Sequence, residues 1–348
     1  PPKNQGSFLA AGNLYFCDAE FSRPRFNCRC NWLLLMDLLQ IIALAAVQGV
    51  TEFLPISSSG HLVIVEALLR PNAPDEPEGQ LALNVFLHLG TLLAVLVFYW
   101  RQLIQLLSSE RRVLWVLFVG TLPAGVVGLL IKKFAPGLAT DALLSGAMLL
   151  VTGSILLFSP RVSQGNLEYR HMGWRGALAI GLAQAVAVLP GISRSGSTIV
   201  AGLCVGLRRE DAATFSFLLS IPVIAGASAL EGWELIQRGN LAVSTAGLAA
   251  GVAVAFLVGL IALAWLLRWL RQGRLYLFAW WCFAAGIGVI VWQLSVRSTP
   301  NPVTKPDVTT RVGQARQMNA NHFHTSIYAH QLASCLAASG ASTPDRQQ

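Results

Sequence analysis

The sequence predicts an all-α polytopic membrane protein, an inverted repeat of six spanning helices plus two re-entrant helical hairpins. Three observations predict this fold class: few charges, long apolar runs, and two similar polar breaks within apolar segments. Of the 348 residues, 54% are hydrophobic and 12% are charged, whereas a soluble domain carries about 25% charged residues. Because so few charges cannot cover a water-exposed surface, most of the outer surface is expected to face lipid.

The long apolar runs predict the spanning helices. A helix needs roughly 20 apolar residues to cross about 30 Å of hydrocarbon, and Leu81–Tyr99, Val113–Ile131, Thr245–Leu267 and Tyr276–Leu294 approach or exceed that length. Helices are predicted near 37–54, 58–69, 82–101, 113–132, 141–159, 174–189, 195–207, 211–237, 243–271 and 275–296. The net charge of +8 is attributed to Lys and Arg in cytoplasmic loops, so we expect bilayer lipids and no nucleic acid as partners.

Both ends of the chain differ from this apolar body. Residues 1–35 mix Pro, Asn, Arg and Cys without helical periodicity, and a clean helix start follows at Met36. We therefore predict that 1–35 is a disordered, non-native or upstream extension and that Met36 is the natural initiator. Residues 297–348 form a polar tail that we expect to be disordered, which leaves 36–296 as the membrane domain.

Two polar breaks, Pro55–His61 and Pro190–Thr198, interrupt short helices at matching places in two halves, about 36–160 and 174–296. The segment QGVTEFLPISSSG from Gln48 aligns with QAVAVLPGISRSG from Gln184, which indicates an internal duplication. Three spans follow each break, and an odd number requires the second half to be inverted. Interrupted segments at matching positions of two halves point to a binding site near the membrane midplane.

The distribution of basic residues predicts the orientation. If the breaks are re-entrant hairpins, one face carries eleven basic residues between its spans and the other carries four. The first face is then cytoplasmic, because Lys and Arg accumulate on that side. The first hairpin enters from outside and the second from the cytoplasm, so their tips are expected to meet within the membrane.

Candidate chemistry begins at the first break. Ionisable groups at membrane depth are costly and need partners or a wet cavity. Gln48 and Glu52 lie four residues apart and share one helix face, and Glu52 is interpreted as a metal ligand or general base, or as a cap of local backbone. The run Ser57–Ser59 precedes a helix, where hydroxyls and free N–H groups suit a phosphate or a nucleophile, capping alone being the alternative.

The second break carries the opposite charge. Arg194 lies between two serines, and its planar fork suits a phosphate, a structural ion pair with Glu52 being the alternative. Other polar residues of the apolar body receive plainer interpretations: His88 as a hydrogen-bonded packing group, Glu231 as interfacial or paired, and Trp281 as part of an interface belt. A carboxylate, hydroxyls, a histidine and an arginine together suit phosphoryl transfer.

The motifs at the two breaks also resemble a known family. QxxxE from Gln48 with PISSSGH from Pro55, and PGISRSGST from Pro190, are similar to the two signature motifs of bacterial undecaprenyl-diphosphate phosphatases, the bacitracin-resistance protein family. The resemblance covers about 36–296. It implies hydrolysis of the phosphoric anhydride of undecaprenyl diphosphate, giving undecaprenyl phosphate and phosphate, and so recycling the lipid carrier of cell-wall (peptidoglycan) synthesis.

The resemblance also implies a setting and residue roles. It implies a divalent metal, Mg²⁺ or Ca²⁺, and a bacterial inner-membrane site open to the periplasmic side; a homodimer is a further expectation. Gln48 and Glu52 would hold the metal, although Gln48 stands where many relatives carry Glu. The catalytic candidates would be Glu52 (base), Ser58 (nucleophile), His61 (acid–base or alternative nucleophile) and Arg194. The substrate-binding candidates would be Ser57, Ser59, Gly60, Ser193, Ser195, Gly196 and Thr198.

A transporter is the alternative function. Inverted repeats with re-entrant tips are typical of transporters, and the same site could bind and flip a polyprenyl phosphate lipid. Hydrolysis that depends on Glu52 and Arg194 would favour the enzyme, whereas flipping without hydrolysis would favour the transporter.

Overall fold

The protein is helical throughout the residues that the computed structural model describes, which are 26–69, 77–162, 165–238 and 244–298. Within these ranges there is no sheet, only one isolated bridge between Leu167 and Leu207. The helices are α1 (Phe26–Phe53), α2 (Ser58–Leu69), α3 (Pro77–Phe98), α4 (Trp100–Ser108), α5 (Arg111–Phe134), α6 (Ala142–Phe158), α7 (Trp174–Val186), α8 (Arg194–Cys204), α9 (Arg209–Arg238), α10 (Thr245–Arg271) and α11 (Leu277–Ser298).

Six helices among the described residues are long and apolar enough to cross a membrane. They are α3, α5, α6, α9, α10 and α11. Their outward faces carry large apolar side chains, such as Phe134, Ile236 and Ile261, that are at least 70% exposed, as lipid-facing surfaces require. The chain is therefore a multi-pass membrane protein, and the predicted number of spans is confirmed.

Four of the remaining helices form the two broken pairs. Helices α7 and α8 have 13 and 11 residues, and at about 1.5 Å per residue neither crosses a hydrocarbon core of about 30 Å. The pairs α1–α2 and α7–α8 are each in contact with their own partner and reverse at the two predicted breaks. This arrangement is compatible with re-entrant hairpins, whose side of entry stays a prediction.

The contacts between helices in one half have counterparts in the other half. If α1 and α2 correspond to α7 and α8, the three later spans of the first half (α3, α5, α6) correspond to α9, α10 and α11. Helix α1 packs against α10, and its counterpart α7 packs against α5, the counterpart of α10. Glycines allow this close approach: a Cβ on Gly181 of α7 would lie 2.3 Å from the carbonyl oxygen of Gly120 on α5. The exchange of partners supports the inverted repeat.

Two differences from the predicted helices concern α1 and α4. Helix α1 begins at Phe26 rather than near 37, since no Pro or Gly lies between Phe26 and Met36 to end a helix. The predicted helix 82–101 ends at Phe98, and a separate helix α4 follows. Helix α4 buries Leu106 and exposes Trp100 and Leu107, so it has two distinct faces and does not continue the span. Residues 1–25 and 299–348 lie outside the described residues.

The residues that the structure describes fall into two units, one ending at Val291 and the other beginning at Trp292. The first contains both broken pairs and five complete spans, together with most of α11. Of the second, the structure describes only the end of α11, up to Ser298. Every candidate site residue belongs to the first unit.

Candidate active site

The tips of the two broken pairs are in direct contact. The hydroxyl of Ser195, on the second tip, donates a hydrogen bond to the carbonyl of Leu54, on the first, at 3.2 Å. A Cβ on Gly196 would lie 3.1 Å from Cβ of Pro55, and one on Gly60 would lie 3.4 Å from Cα of Gly191. The structure thus brings the two breaks together, although 136 residues separate their aligned positions.

Glu52 is the centre of the contact. It lies in the last turn of α1, is 8% exposed, and has partners on both carboxylate oxygens. Oε2 accepts hydrogen bonds from Gln48 Nε2 at 3.1 Å and from Ser58 Oγ at 2.8 Å. Oε1 is ion-paired with Nη2 of Arg194. A carboxylate, a hydroxyl and a guanidinium from three helices therefore form one cluster, and a carboxylate hydrogen-bonded to a hydroxyl is the arrangement in which a general base activates a nucleophile.

Arg194 and Ser58 are the first residues of α8 and α2. Both helices therefore direct their N-terminal N–H groups and the positive ends of their dipoles towards the cluster, where an anion is stabilised. Nη1 of Arg194 is buried and has no hydrogen-bond partner among the described residues. Because a guanidinium has five N–H donors in a planar fork, this group can bind an anion beyond Glu52.

A cavity of about 220 Å³ opens from this cluster. This volume is several times that of one water molecule, about 30 Å³, so the cavity can hold a small charged group. From the two tips it is lined by Thr51, Glu52, Ser57, Ser58, Ser59, Ala187, Val188, Ile192, Ser193, Arg194 and Ser195; α3 contributes His88, and α9 contributes Val223, Ile224, Ala227, Ser228 and Glu231. The tips supply most of the polar lining, and the apolar lining is shared equally between the second tip and α9.

Comparison with known proteins now identifies the family. The family model described as "Bacitracin resistance protein BacA" matches residues 41–288, well over half of the chain and both tips. The chain belongs to this family. The undecaprenyl-diphosphatase of Rhodopirellula baltica is 46% identical over 261 residues, which cover 75% of this chain and 100% of that protein. Those of Halothermothrix orenii and Methanosphaera stadtmanae are 41% and 39% identical, each over 74% of this chain and 98% of the relative.

His88 and Glu231 are cavity residues of this BacA-family chain that the sequence interpretation missed. His88 was interpreted as a packing group; its Nδ1–H donates to the carbonyl of Asn84 at 2.8 Å, and its Nε2 lies 3.9 Å from Oε2 of Glu52. Glu231, on the facing α9, interacts electrostatically with His88 and with Lys132. The available signal was their presence as ionisable groups inside apolar spans, but sequence spacing alone does not say which face meets a cavity.

His61 is the catalytic candidate that the structure does not bring to the cavity. Its Nδ1 donates to the carbonyl of Ser57 at 2.8 Å, and its Nε2 accepts from the indole N–H of Trp281 at 2.9 Å. Its side chain does not line the cavity around Glu52. With both ring nitrogens bonded to protein groups, His61 is held as a neutral tautomer away from Glu52.

The substrate-binding candidates of the BacA motifs divide into two groups. Ser57, Ser59, Ser193 and Ser195 line the cavity. Gly60, Gly196 and Thr198 do not; the glycines lie where the tips touch, and Thr198 is fully buried beneath Arg194, whose carbonyl accepts its hydroxyl at 2.8 Å.

Backbone geometry also marks the first tip. Ser57 has φ of 70°, the left-handed region that non-glycine residues rarely adopt. Strain of this kind persists only where the surroundings hold it, and it concentrates at functional sites. The neighbouring Ser58 owes its position against Glu52 to this turn.

The metal implied by the family resemblance can be tested against the donors present. Glu52 and the buried Oε1 of Gln48, which has no partner among the described residues, are hard oxygen donors that suit Mg²⁺ or Ca²⁺. No group of three or more His, Cys, Asp or Glu in the described part of the chain could hold a metal ion. These donors therefore fit an ion that shares its ligands with substrate phosphates, as Mg²⁺ often does, and not an all-protein cage.

Proposed function

We propose that this chain hydrolyses undecaprenyl diphosphate to undecaprenyl phosphate and phosphate. The observation that carries the proposal is the cluster of Ser58, Glu52 and Arg194 at two helix N-termini, beside a small cavity in a membrane protein. A half-buried hydroxyl bonded to a buried carboxylate, next to a guanidinium, suits transfer of an anionic group. Relatives that match the chain over 98–100% of their own length are undecaprenyl-diphosphatases.

In the proposed reaction Ser58 is the nucleophile, because its hydroxyl donates to Glu52. Its Oγ attacks the terminal phosphorus while its proton passes to Glu52. The bond from that phosphorus to the bridging oxygen breaks, and undecaprenyl phosphate leaves with the bridging oxygen. Water then attacks the phosphoserine, and phosphate is released while Glu52 returns its proton to Oγ of Ser58, which restores both groups.

Arg194 has a second role in this scheme. Without substrate it neutralises Glu52, which would otherwise be an unpaired buried carboxylate. A diphosphate offers oxygens that attract the guanidinium away from Glu52 and occupy the donors of Nη1. Substrate binding would then leave Glu52 free to accept the proton of Ser58, so the base becomes active only when the anion is in place.

A divalent ion, Mg²⁺ or Ca²⁺, belongs to the proposal as a further partner of the diphosphate. Glu52 and Gln48 would hold it together with phosphate oxygens. When bound, the ion would neutralise phosphate charge and favour departure of the leaving phosphate.

The finer setting is proposed on the same basis. The excess of basic residues on one face supports a cytoplasmic orientation of that face. The family resemblance implies that the site opens to the periplasmic side of a bacterial inner membrane. Undecaprenyl phosphate formed there would serve again as carrier for cell-wall precursors. Assembly as a homodimer is kept as an expectation that oligomeric state in detergent would test.

The testing experiment measures phosphate release from undecaprenyl diphosphate by the protein purified in detergent. We expect Ser58→Ala and Glu52→Gln to lower kcat by about 10²–10⁴-fold, the usual contribution of such groups. The matched control is Ser154→Ala, because Ser154 is an exposed serine of α6 that bonds its own helix. A chelator should abolish release, and Mg²⁺ or Ca²⁺ should restore it. Full release by either site variant would refute the assignment.

The same preparation tests the transporter alternative. In liposomes, a flippase moves a labelled polyprenyl phosphate between leaflets without cleaving it. The named activity of the relatives is hydrolysis, which does not favour transport. Movement of lipid without phosphate release would overturn the proposed function.

A further inference from the structure

We infer that Trp281 is a positioning residue of the site: its indole N–H holds His61, and through it the strained first tip that presents Ser58 to Glu52. This inference rests on the proposed function, in which Ser58 attacks phosphorus. Trp281 lies on α11, 220 residues from His61, and the sequence interpretation assigned it to an interface belt. Its hydrogen bond to His61 adds a structural role at the site.

A continuous chain of hydrogen bonds joins α11 to the first tip. Trp281 Nε1–H donates to Nε2 of His61 at 2.9 Å, and Nδ1–H of His61 donates to the carbonyl of Ser57 at 2.8 Å. The two ring planes are 11° apart, with centroids 6.1 Å apart. That separation fits an edge-to-edge N–H···N bond between nearly parallel rings. The indole N–H, which can only donate, requires Nε2 to accept and therefore makes Nδ1 the donor.

The carbonyl at the end of this chain belongs to the strained residue. The Ser57 carbonyl accepts from the backbone N–H of His61 at 3.3 Å as well as from its ring. Because Ser57 has φ of 70°, its peptide needs bonds that hold it in this conformation. Ser58 follows directly, so the orientation of that peptide sets the direction in which its Oγ reaches Glu52.

The second tip has an equivalent brace, which argues against coincidence. Thr152 on α6 donates to the carbonyl of Gly191 at 2.9 Å and accepts the N–H of Ser193 at 2.9 Å. Helix α6 is the last span of the first half and braces the second tip, whereas α11 is the last span of the second half and braces the first. Each half therefore fixes the tip of the other.

His61 is consequently a structural partner in this scheme. Neither ring nitrogen is free to exchange a proton with substrate, and the side chain does not line the cavity. Its value to the reaction lies in the Nδ1–H bond to Ser57, which the side-chain amide of Asn can imitate and which Ala cannot. If His61 only positions the tip, His61→Asn should be much more active than His61→Ala; if His61 is an acid–base catalyst, both variants should be equally inactive.

The experiment compares Trp281→Phe, His61→Asn, His61→Ala and the Trp281→Phe/His61→Asn double variant with the unmodified protein. The control is Trp280→Phe, since Trp280 is the adjacent and similarly exposed tryptophan and packs edge-on against Phe283. We expect Trp281→Phe to lower kcat by about tenfold, the effect of one hydrogen bond, with KM unchanged. His61→Asn should retain a kcat near that of Trp281→Phe, His61→Ala should lose far more, and the double variant should equal His61→Asn.

A readout independent of activity accompanies the kinetics. Hydrogen–deuterium exchange of the peptide amides in 54–61 should rise in Trp281→Phe and not in Trp280→Phe. Trp281→His returns a ring N–H donor and should therefore recover part of the kcat that Trp281→Phe loses. It replaces Trp281→Phe as the test variant if the Phe variant does not fold.

Three results would overturn the inference: unchanged kcat and exchange in Trp281→Phe, a His61→Asn variant as inactive as His61→Ala, or a tenfold effect of Trp281→Phe that persists in the His61→Asn background. Absence of phosphate release by the unmodified protein would instead overturn the proposed function, and the exchange data would still test the brace.

Discussion

The ion pair between Glu52 and Arg194 links the two halves, so its removal should destabilise the fold as well as abolish activity. The two residues are 142 positions apart, on α1 and α8. Their side chains are only 6% and 15% exposed. Glu52→Gln leaves a buried guanidinium without its counter-ion, and Arg194→Met leaves a buried carboxylate. The double variant is neutral and retains much of the side-chain volume.

The size of the effect follows from burial. Removing one member of a buried ion pair costs about 3–5 kcal/mol. We expect the lower end, about 3 kcal/mol, for each single variant, because Gln48 and Ser58 still solvate position 52 and Arg194 keeps some exposure. Replacing a whole buried pair by uncharged groups is often neutral, so the double variant should be more stable than either single one. The coupling free energy should be about 2–3 kcal/mol.

The assay is equilibrium unfolding in mixed micelles, with the four proteins forming a double-mutant cycle. Phosphate release measured on the same samples should be lost in all three variants. The double variant should therefore regain stability without regaining activity. The reasoning would be refuted if the two single effects simply added in the double variant. It would also fail if both single variants were as stable as the unmodified protein.

Three further predictions concern the cavity and the second tip. Gly191→Ala should prevent stable folding, because φ of Gly191 is +92° and a Cβ there would lie 2.2 Å from a carbonyl oxygen of α6. Gly288→Ala is the control, since a Cβ at Gly288 would have no atom within 4 Å. Gel filtration in detergent distinguishes the folded from the aggregated variant. His88→Ala should lower kcat/KM about tenfold, since the ring faces the cavity; unchanged kinetics would exclude a role. Ser59→Ala should reduce kcat far less than Ser58→Ala, because only the Ser58 hydroxyl bonds the carboxylate; equal losses in phosphate-release assays would contradict this.

Much of the fold could be predicted because lipid imposes simple rules. The long apolar segments predicted six spanning helices, and the similarity of the Gln48 and Gln184 segments predicted two breaks at matching positions. Helix α4 was missed because Arg101 and Gln102 end the apolar run of α3, and the segment after them is too short and too polar to predict a span. Only the arrangement of its faces, with Leu106 buried and Leu107 exposed, shows that it is a separate amphipathic element.

The candidate site was predictable where local sequence fixes geometry. Glu52 and Gln48 share a helix face by spacing, and Ser58 and Arg194 begin helices by motif, so their meeting required only that the tips touch. His61 was not predictable, because its partner Trp281 comes from α11 and nothing in the local sequence identifies it. His88 and Glu231 were missed for the same reason, since the rotation of α3 and α9 is set by packing.

The central claim is that Glu52 activates Ser58 for attack on the terminal phosphorus of a lipid diphosphate bound by Arg194. Its most direct test is an acid-quenched reaction of the purified protein with undecaprenyl diphosphate labelled in the terminal phosphate, followed by mass spectrometry of the tip peptide. The mechanism predicts a labelled phosphoryl group on Ser58 during turnover, absent in Glu52→Gln. Turnover without any phosphoserine, together with full phosphate release by Ser58→Ala, would contradict it.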